Sequence, residues 1–250
     1  ILQVLGVALL LGLAAVYKGT SADGLVWMQP KWWGILGLIG WSYLLVSIIF
    51  LWSKGKFALQ AVSFLFFLAF SSATHLGLFG FLSGVREYIW IVGDGSMPAM
   101  VTAGVITSLI YQKNSITSKS FWQYVVAASI LLVVFGFATR PLWEISKIRA
   151  TPSWTTICIG ISIASFACIA YITDHKGRVS WYNVIKPAGV STLTCFLIPY
   201  LHDAFLQMTT YRLPVELRTG VVGLGKSFLF SLAIILLVGL LQKWKIRLKL

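Results

Sequence analysis

The sequence predicts an all-α fold, a polytopic transmembrane helix bundle of about eight spans forming a single membrane domain over residues 1–250. Three observations carry that prediction. The chain is 58% hydrophobic with a mean hydropathy of +0.86. Only 11% of its residues are charged, where a soluble domain has about 25%. Its apolar runs are continuous and approach the ~20 residues that a helix needs to cross a bilayer. A closed barrel is the other spanning solution, but its strands alternate with period two, and these runs do not.

The spans follow in order. The first runs from about Ile1 to Tyr17 and the second from about Gly34 to Trp52. The third covers Phe57 to Thr74 and the fourth Met97 to Tyr111. The fifth covers Phe121 to Thr139, the sixth Thr155 to Thr173, the seventh Tyr182 to Phe205 and the eighth Val221 to Trp244. Tryptophans stand at the span ends (Trp32, Trp33, Trp52, Trp122, Trp154, Trp181, Trp244), as interfacial anchors do. Between the third and fourth spans, residues 75–96 are apolar but broken by glycines and charges. They read either as a re-entrant segment, which needs protein or water around it, or as an outer loop on the interface. The chain opens mid-hydrophobic on Ile1, so further sequence is expected upstream. Repeats and low-complexity stretches are absent.

Loop charge sets the orientation. The loops after spans two, four and six, with the C-terminus, hold Lys54, Lys56, Lys113, Lys119, Lys176, Arg178, Lys243, Lys245, Arg247 and Lys249 against one acid, Asp174. The opposite side holds Lys18, Lys31, Arg86, Arg140, Lys147, Arg149, Arg212 and Arg218, with Asp23, Glu87, Asp94, Glu144 and Glu216. The positive-inside bias, strongest in short loops, places the C-terminus in the cytoplasm. The net charge of +13 then reflects topology and anionic lipid rather than nucleic acid. Cys158, Cys168 and Cys195 all fall inside apolar runs and read as free thiols.

The residues with chemistry concentrate in the seventh span. Ser191, Cys195 and His202 share one helical stripe, and Pro199 predicts a kink that frees the Cys195 carbonyl. A kinked span ending in His202–Asp203 belongs against protein or a wet cavity. Small hydroxyl residues such as Ser191 also serve plain helix packing, and Lys186 can snorkel. An ionisable His at membrane depth points to function and suits proton transfer near neutral pH. His75 ends the third span on the same side and can meet His202 across the bundle. With no third ligand at suitable spacing, no metal is expected. Lys176, Arg178 and Lys186 can cradle a polyphosphate, or can simply be positive-inside loop charges. Lys226, one turn into the eighth span, can snorkel or pair with Asp203 or Glu216. Asp94, in "GDGSMPAM", can cap the following helix or line a site. P-loop, dinucleotide and hydrolase-elbow motifs are absent.

The run from "ISKIRATPSW" through the Asp174 loop to "KPAGVSTLTCFLIPYLHDAF", with "ILQVLGVALL" and "GDGSMPAMVTAGVITSLIY", resembles the heparan-α-glucosaminide N-acetyltransferase family, more closely its bacterial relatives. The resemblance covers nearly the whole chain. It implies an acyltransferase of about eleven spans in the bacterial cytoplasmic (inner) membrane, of which this chain is the C-terminal portion. Such an enzyme moves an acetyl group from cytoplasmic acetyl-CoA to an amino sugar or glycan on the outer side. The family's catalytic histidine lies N-terminal to this chain, so the catalytic residue is unknown here, and His202, Asp203 and His75 are candidates for lining the site. Lys176, Arg178 and Lys186 would hold the donor phosphates. Ser153, Trp154, His202 and Asp203 would meet the acceptor. Many relatives carry Asn where this chain has Ser191. The expected partners are the bilayer, the sugar or glycan acceptor and, as a further option, a second copy in a homo-oligomer. Two other functions compete. Broken helices with buried polar groups also suit a transporter or flippase for a small polar or lipid-linked solute, although such folds carry internal repeats. The third is a membrane scaffold subunit.

Overall fold

The computed structural model describes residues 2–21, 24–27, 34–82, 84, 90–209 and 214–244. In chain order the helices among these are α1 (Leu2–Val16), α2 (Ile35–Trp52), α3 (Phe57–His75), α4 (Ser96–Lys113), α5 (Lys119–Ala138), the single-turn α6 (Arg140–Trp143), α7 (Pro152–Ala170), α8 (Lys186–Val190), α9 (Thr192–Thr209) and α10 (Gly220–Lys243). About 81% of the structure is helical, so the class is all-α with one addition that the sequence did not predict. Lys18–Ser21 (β1) and Gly24–Trp27 (β2) form a two-stranded antiparallel hairpin, with the Lys18 ammonium 4.7 Å from the Trp27 ring.

Among the described residues, five helices are long and apolar enough to cross a bilayer: α2, α3, α5, α7 with its continuation to His175, and α10. The other three expected spans are helical too, but differ in kind. At 15 residues, α1 rises about 22 Å against a hydrocarbon core of about 30 Å. Helices α4 and α9 each have 18 residues, but hydroxyl, amide and charged side chains dilute their apolar content. The large side chains of the apolar helices point outward, with Val221, Leu224 and Phe228 of α10 at 70% exposure or more. A water-soluble fold rarely shows so large an apolar surface, and the chain reads as a helical integral membrane protein. Among the residues used above for topology, Asp23, Lys31, Trp32, Trp33, Arg86, Glu87, Arg212, Lys245, Arg247 and Lys249 lie outside the described residues.

The chain divides into two compact units, Ile1–Ile169 and Ala170–Leu250. In the first, α4 packs against α2 and α3 around Val46, Phe67 and Ala99. A second cluster joins Ala103 to Phe121, Val125, Ile159, Ile163 and Ala167 of α5 and α7. Much of the remaining interior is polar: Ser42, Gln60, Ser71, Thr102, Thr151, Ser153, Thr155 and Thr156 are all essentially inaccessible. Lipid tails are as apolar as Leu, so helices in a membrane associate by close fit and hydrogen bonding rather than by hydrophobicity. The α5–α7 crossing shows how close the fit is. A Cβ on Gly136 would stand 2.5 Å from the Ile157 side chain, and one on Gly160 would stand 2.7 Å from the Ser129 carbonyl oxygen. That approach lets the Ser129 hydroxyl donate to the Gly160 carbonyl at 2.8 Å.

The 75–96 segment contains two short 3₁₀ turns, Gly80–Leu82 and Val92–Gly95, while residues 83 and 85–89 lie outside the described residues. Phe70, Phe79 and Trp90 cluster there with ring centroids 5.0–6.1 Å apart. Gly93, Asp94 and Gly95 all have left-handed backbones. Gly95 is constrained twice, because a Cβ there would stand 2.7 Å from the Phe67 carbonyl oxygen.

In the second unit the expected seventh span is not one kinked helix. It consists of a 3₁₀ turn (Trp181–Val184), the five-residue α8 and then α9. The break falls at Ser191, whose φ/ψ of −129°/54° is non-helical. Pro199, where a kink was expected, lies inside α9. Pro187 sits in the first turn of α8, where its missing N–H costs nothing.

Candidate functional site

The cationic end is built by the turn that follows α7. The helix widens into a π turn over Tyr171–His175, and Gly177, with φ of 63°, turns the chain back. The Lys176 ammonium lies 5.0 Å from the Tyr171 ring centroid, within cation–π range. The His175 imidazole stacks on the same ring at 5.1 Å and 21°. Lys176 is therefore laid along an aromatic face, while Arg178 and Lys186 are exposed.

The other end lies on α9. His202 Nδ1 is 3.3 Å from Asp203 Oδ1, with the two side chains 42% and 68% exposed. An Nδ1–H donated to the carboxylate leaves Nε2 as the ring's acceptor. The Phe230 ring of α10 packs on the imidazole at 4.7 Å between centroids. Helix α9 runs on to Thr209, beyond the end predicted at Phe205, so His202 stands about 10 Å short of the helix end at 1.5 Å per residue. From Thr192 to His202 the helix rises about 15 Å, and this separates the His–Asp pair from the α8 end. Lys226 forms no ion pair with Asp203 or Glu216.

Ser191 sits between the two ends. Gln242 of α10 donates its amide N–H groups to the Ser191 hydroxyl at 2.8 Å and to the Pro187 carbonyl at 3.1 Å. These bonds tie the break to α10.

Comparison of the chain with family models, with curated proteins and with solved structures finds no match.

In the first unit, His75 bridges two carbonyls. Its Nδ1 is 2.8 Å from the Ser71 oxygen and its Nε2 is 2.9 Å from the Arg149 oxygen. The ring thus fastens the C-terminal end of α3 to the 144–151 turn. Within that turn Arg149 pairs with Glu144, and Thr151 Oγ1 donates to the Glu144 carbonyl at 3.0 Å. Ser153 is fully buried, and its hydroxyl lies 3.1 Å from that of Thr139, so it joins α7 to the end of α5. Trp154 is half-buried. Asp94 Oδ1 accepts the Trp90 indole N–H at 2.7 Å, while the N-cap position of α4 is Gly95. No group of three or more His, Cys, Asp or Glu residues placed to hold a metal occurs among the described residues.

Sequence reasoning missed Gln242, Phe230 and Tyr171. Gln242 carried a signal, as the one amide in the apolar eighth span, and its two partners explain why it is there. Phe230 and Tyr171 carried none, since aromatics are common in any span.

Proposed function

We propose that this chain is part of a transmembrane acyltransferase that moves an acetyl group from cytoplasmic acetyl-CoA to an amino sugar or glycan on the outer side of a bacterial inner membrane, with its C-terminus in the cytoplasm. The observation that carries the reading is the polarity of the segment from Lys186 to Asp203. It has exposed cations before a helix break, and a paired His–Asp on the far part of the following helix. This fits a donor with a polyphosphate at one end and an acceptor rich in N–H and O–H groups at the other. Arg178 and Lys186 would hold the phosphates, with Lys176 beside them on Tyr171. His202, oriented by Asp203, would present Nε2 to an acceptor N–H or O–H. Ser153, sealed between α7 and the end of α5, serves as a packing residue. In the transfer the acceptor nitrogen attacks the thioester carbonyl, the CoA sulfur leaves, and the amine proton passes to a base. By the family resemblance that base is a histidine N-terminal to this chain, so His202 lines the site.

The test is binding of labelled acetyl-CoA to this chain and to a version extended upstream. Binding is expected, together with its loss in Arg178→Gln/Lys186→Gln. Failure of both versions to bind would end the proposal. The break at Ser191 also suits a transporter or flippase of a small polar or lipid-linked solute. Uptake into proteoliposomes without an acyl donor would favour that second reading.

A further inference from the structure

A cleft of about 570 Å³ opens in the first unit where the α2–α3 turn meets the end of α4, lined by Gly55, Phe57, Gln112, Lys113, Asn114 and Tyr124 among others. Lys113, in the last turn of α4, lines it; Lys54 and Lys56 flank the lining residue Gly55 in the chain, and Lys119 opens α5, which contributes Tyr124. All four lysines are exposed, and none forms an ion pair among the described residues. The sequence offers no carboxylate between residues 51 and 86 or between 95 and 143. The turn itself is fixed, because Lys54 and Gly55 both take left-handed backbones and Gly55 N–H donates to the Phe50 carbonyl at 3.0 Å.

This cleft continues into a groove. It shares Leu109 and Gln112 with a second cavity of about 750 Å³ between α2 and α4. The floor of that cavity is the α4 stripe Ser108, Gly104 and Met100, and its far wall includes Val46 and Phe50. At Gly104 the stripe is open, since a Cβ there would meet no atom within 4 Å. Thirteen residues separate Lys113 from Met100, a rise of about 20 Å, against about 15 Å for one leaflet of hydrocarbon. The groove is therefore cationic and amide-rich at its mouth, apolar along its length, and long enough to take a chain through one leaflet.

We infer that this groove is a binding site for one anionic phospholipid. Its phosphate would sit among Lys54, Lys56, Lys113 and Lys119, and an acyl chain would lie over Ser108 and Gly104. The unmatched charge selects the headgroup sign, and the open floor selects a chain over a second helix held by specific contacts. The inference stands apart from the acyl-transfer reading, which places its donor in the other unit.

The experiment is native mass spectrometry of the full chain in micelles doped with phosphatidylglycerol or phosphatidylcholine, with inorganic phosphate as a competitor. Phosphatidylglycerol should be retained preferentially. Lys113→Gln and Lys54→Gln, both at exposed positions, should each weaken retention about fivefold. Gly104→Phe, whose Cβ meets no atom within 4 Å, should lower phospholipid retention with the helical circular dichroism unchanged. Equal retention of the two lipids would overturn the proposal. So would displacement of lipid by inorganic phosphate with Gly104→Phe silent, which would mark an anion cleft only. A dimer that Gly104→Phe dissociates would also overturn it, by giving the groove to a second copy.

Discussion

Gly160→Ala tests the packing of the first unit with a single methyl group. The added Cβ would stand 2.7 Å from the Ser129 carbonyl oxygen, 2.7 Å from Val133 Cγ2 and 3.2 Å from the Val133 nitrogen. Two of these three atoms belong to the backbone, so no rotamer change relieves the overlap and α5 must move away from α7. Overpacking of this kind costs about 1–3 kcal/mol. Separation also loses the Ser129–Gly160 bond, worth about 0.6 kcal/mol between membrane helices. Ala is the better helix former by up to about 1 kcal/mol, which offsets part of the loss. Gly104→Ala isolates that last effect, because its Cβ meets nothing within 4 Å. The difference between the two variants, in which the propensity gain cancels, should therefore be about 2–4 kcal/mol. Unfolding in mixed micelles titrated with dodecyl sulfate and followed by circular dichroism measures it. If the two variants unfold within about 0.5 kcal/mol of each other, which is the spread of a silent substitution, then α5 and α7 do not cross as closely as described.

Two further substitutions probe the cross-links. His75→Phe keeps the ring but removes both carbonyl contacts, and should cost about 1–2 kcal/mol. It should also speed amide exchange across residues 144–151, and unchanged exchange there would show that the bridge does not restrain the turn. Gln242→Leu removes the donors to both Ser191 and Pro187, and should destabilise the second unit by about 0.6–1.7 kcal/mol. Ser191→Ala should cost less, because the Pro187 bond survives, so a larger loss in Ser191→Ala would refute this account of the tie.

Five of the eight expected spans correspond to helices long and apolar enough to cross a bilayer, and they were legible because a membrane helix announces itself by composition over many residues. What was not legible depended on contacts or on single backbone angles. Pro199 lies inside α9, since a helix can absorb one lost bond. The full break comes at Ser191, whose side chain has no strong conformational preference and whose partner Gln242 lies 51 residues away. The 18–27 hairpin was missed because "KGTS" and "GLVW" are too short to display period-two alternation. His75 was singled out as a site-lining candidate and Asp94 as a helix cap or site-lining residue; the first instead meets two carbonyls, and the cap position is Gly95. Their partners, the Arg149 carbonyl and the Trp90 indole, had no spacing signature to reveal them.

The interior of small hydroxyl side chains has a consequence for how this protein tolerates change. Where Thr151, Ser153, Thr155 and Thr156 are sealed, volume is constrained more tightly than polarity. Ser153→Ala should be tolerated there far better than Ser153→Leu, although Leu is the more hydrophobic. On the outward faces of α2 and α10 the rule inverts, because any bulky apolar side chain serves and a single charge does not. A saturation scan scored for folded yield would thus separate lipid-facing from packed positions by the property each one polices, and would draw the helix faces without a structure.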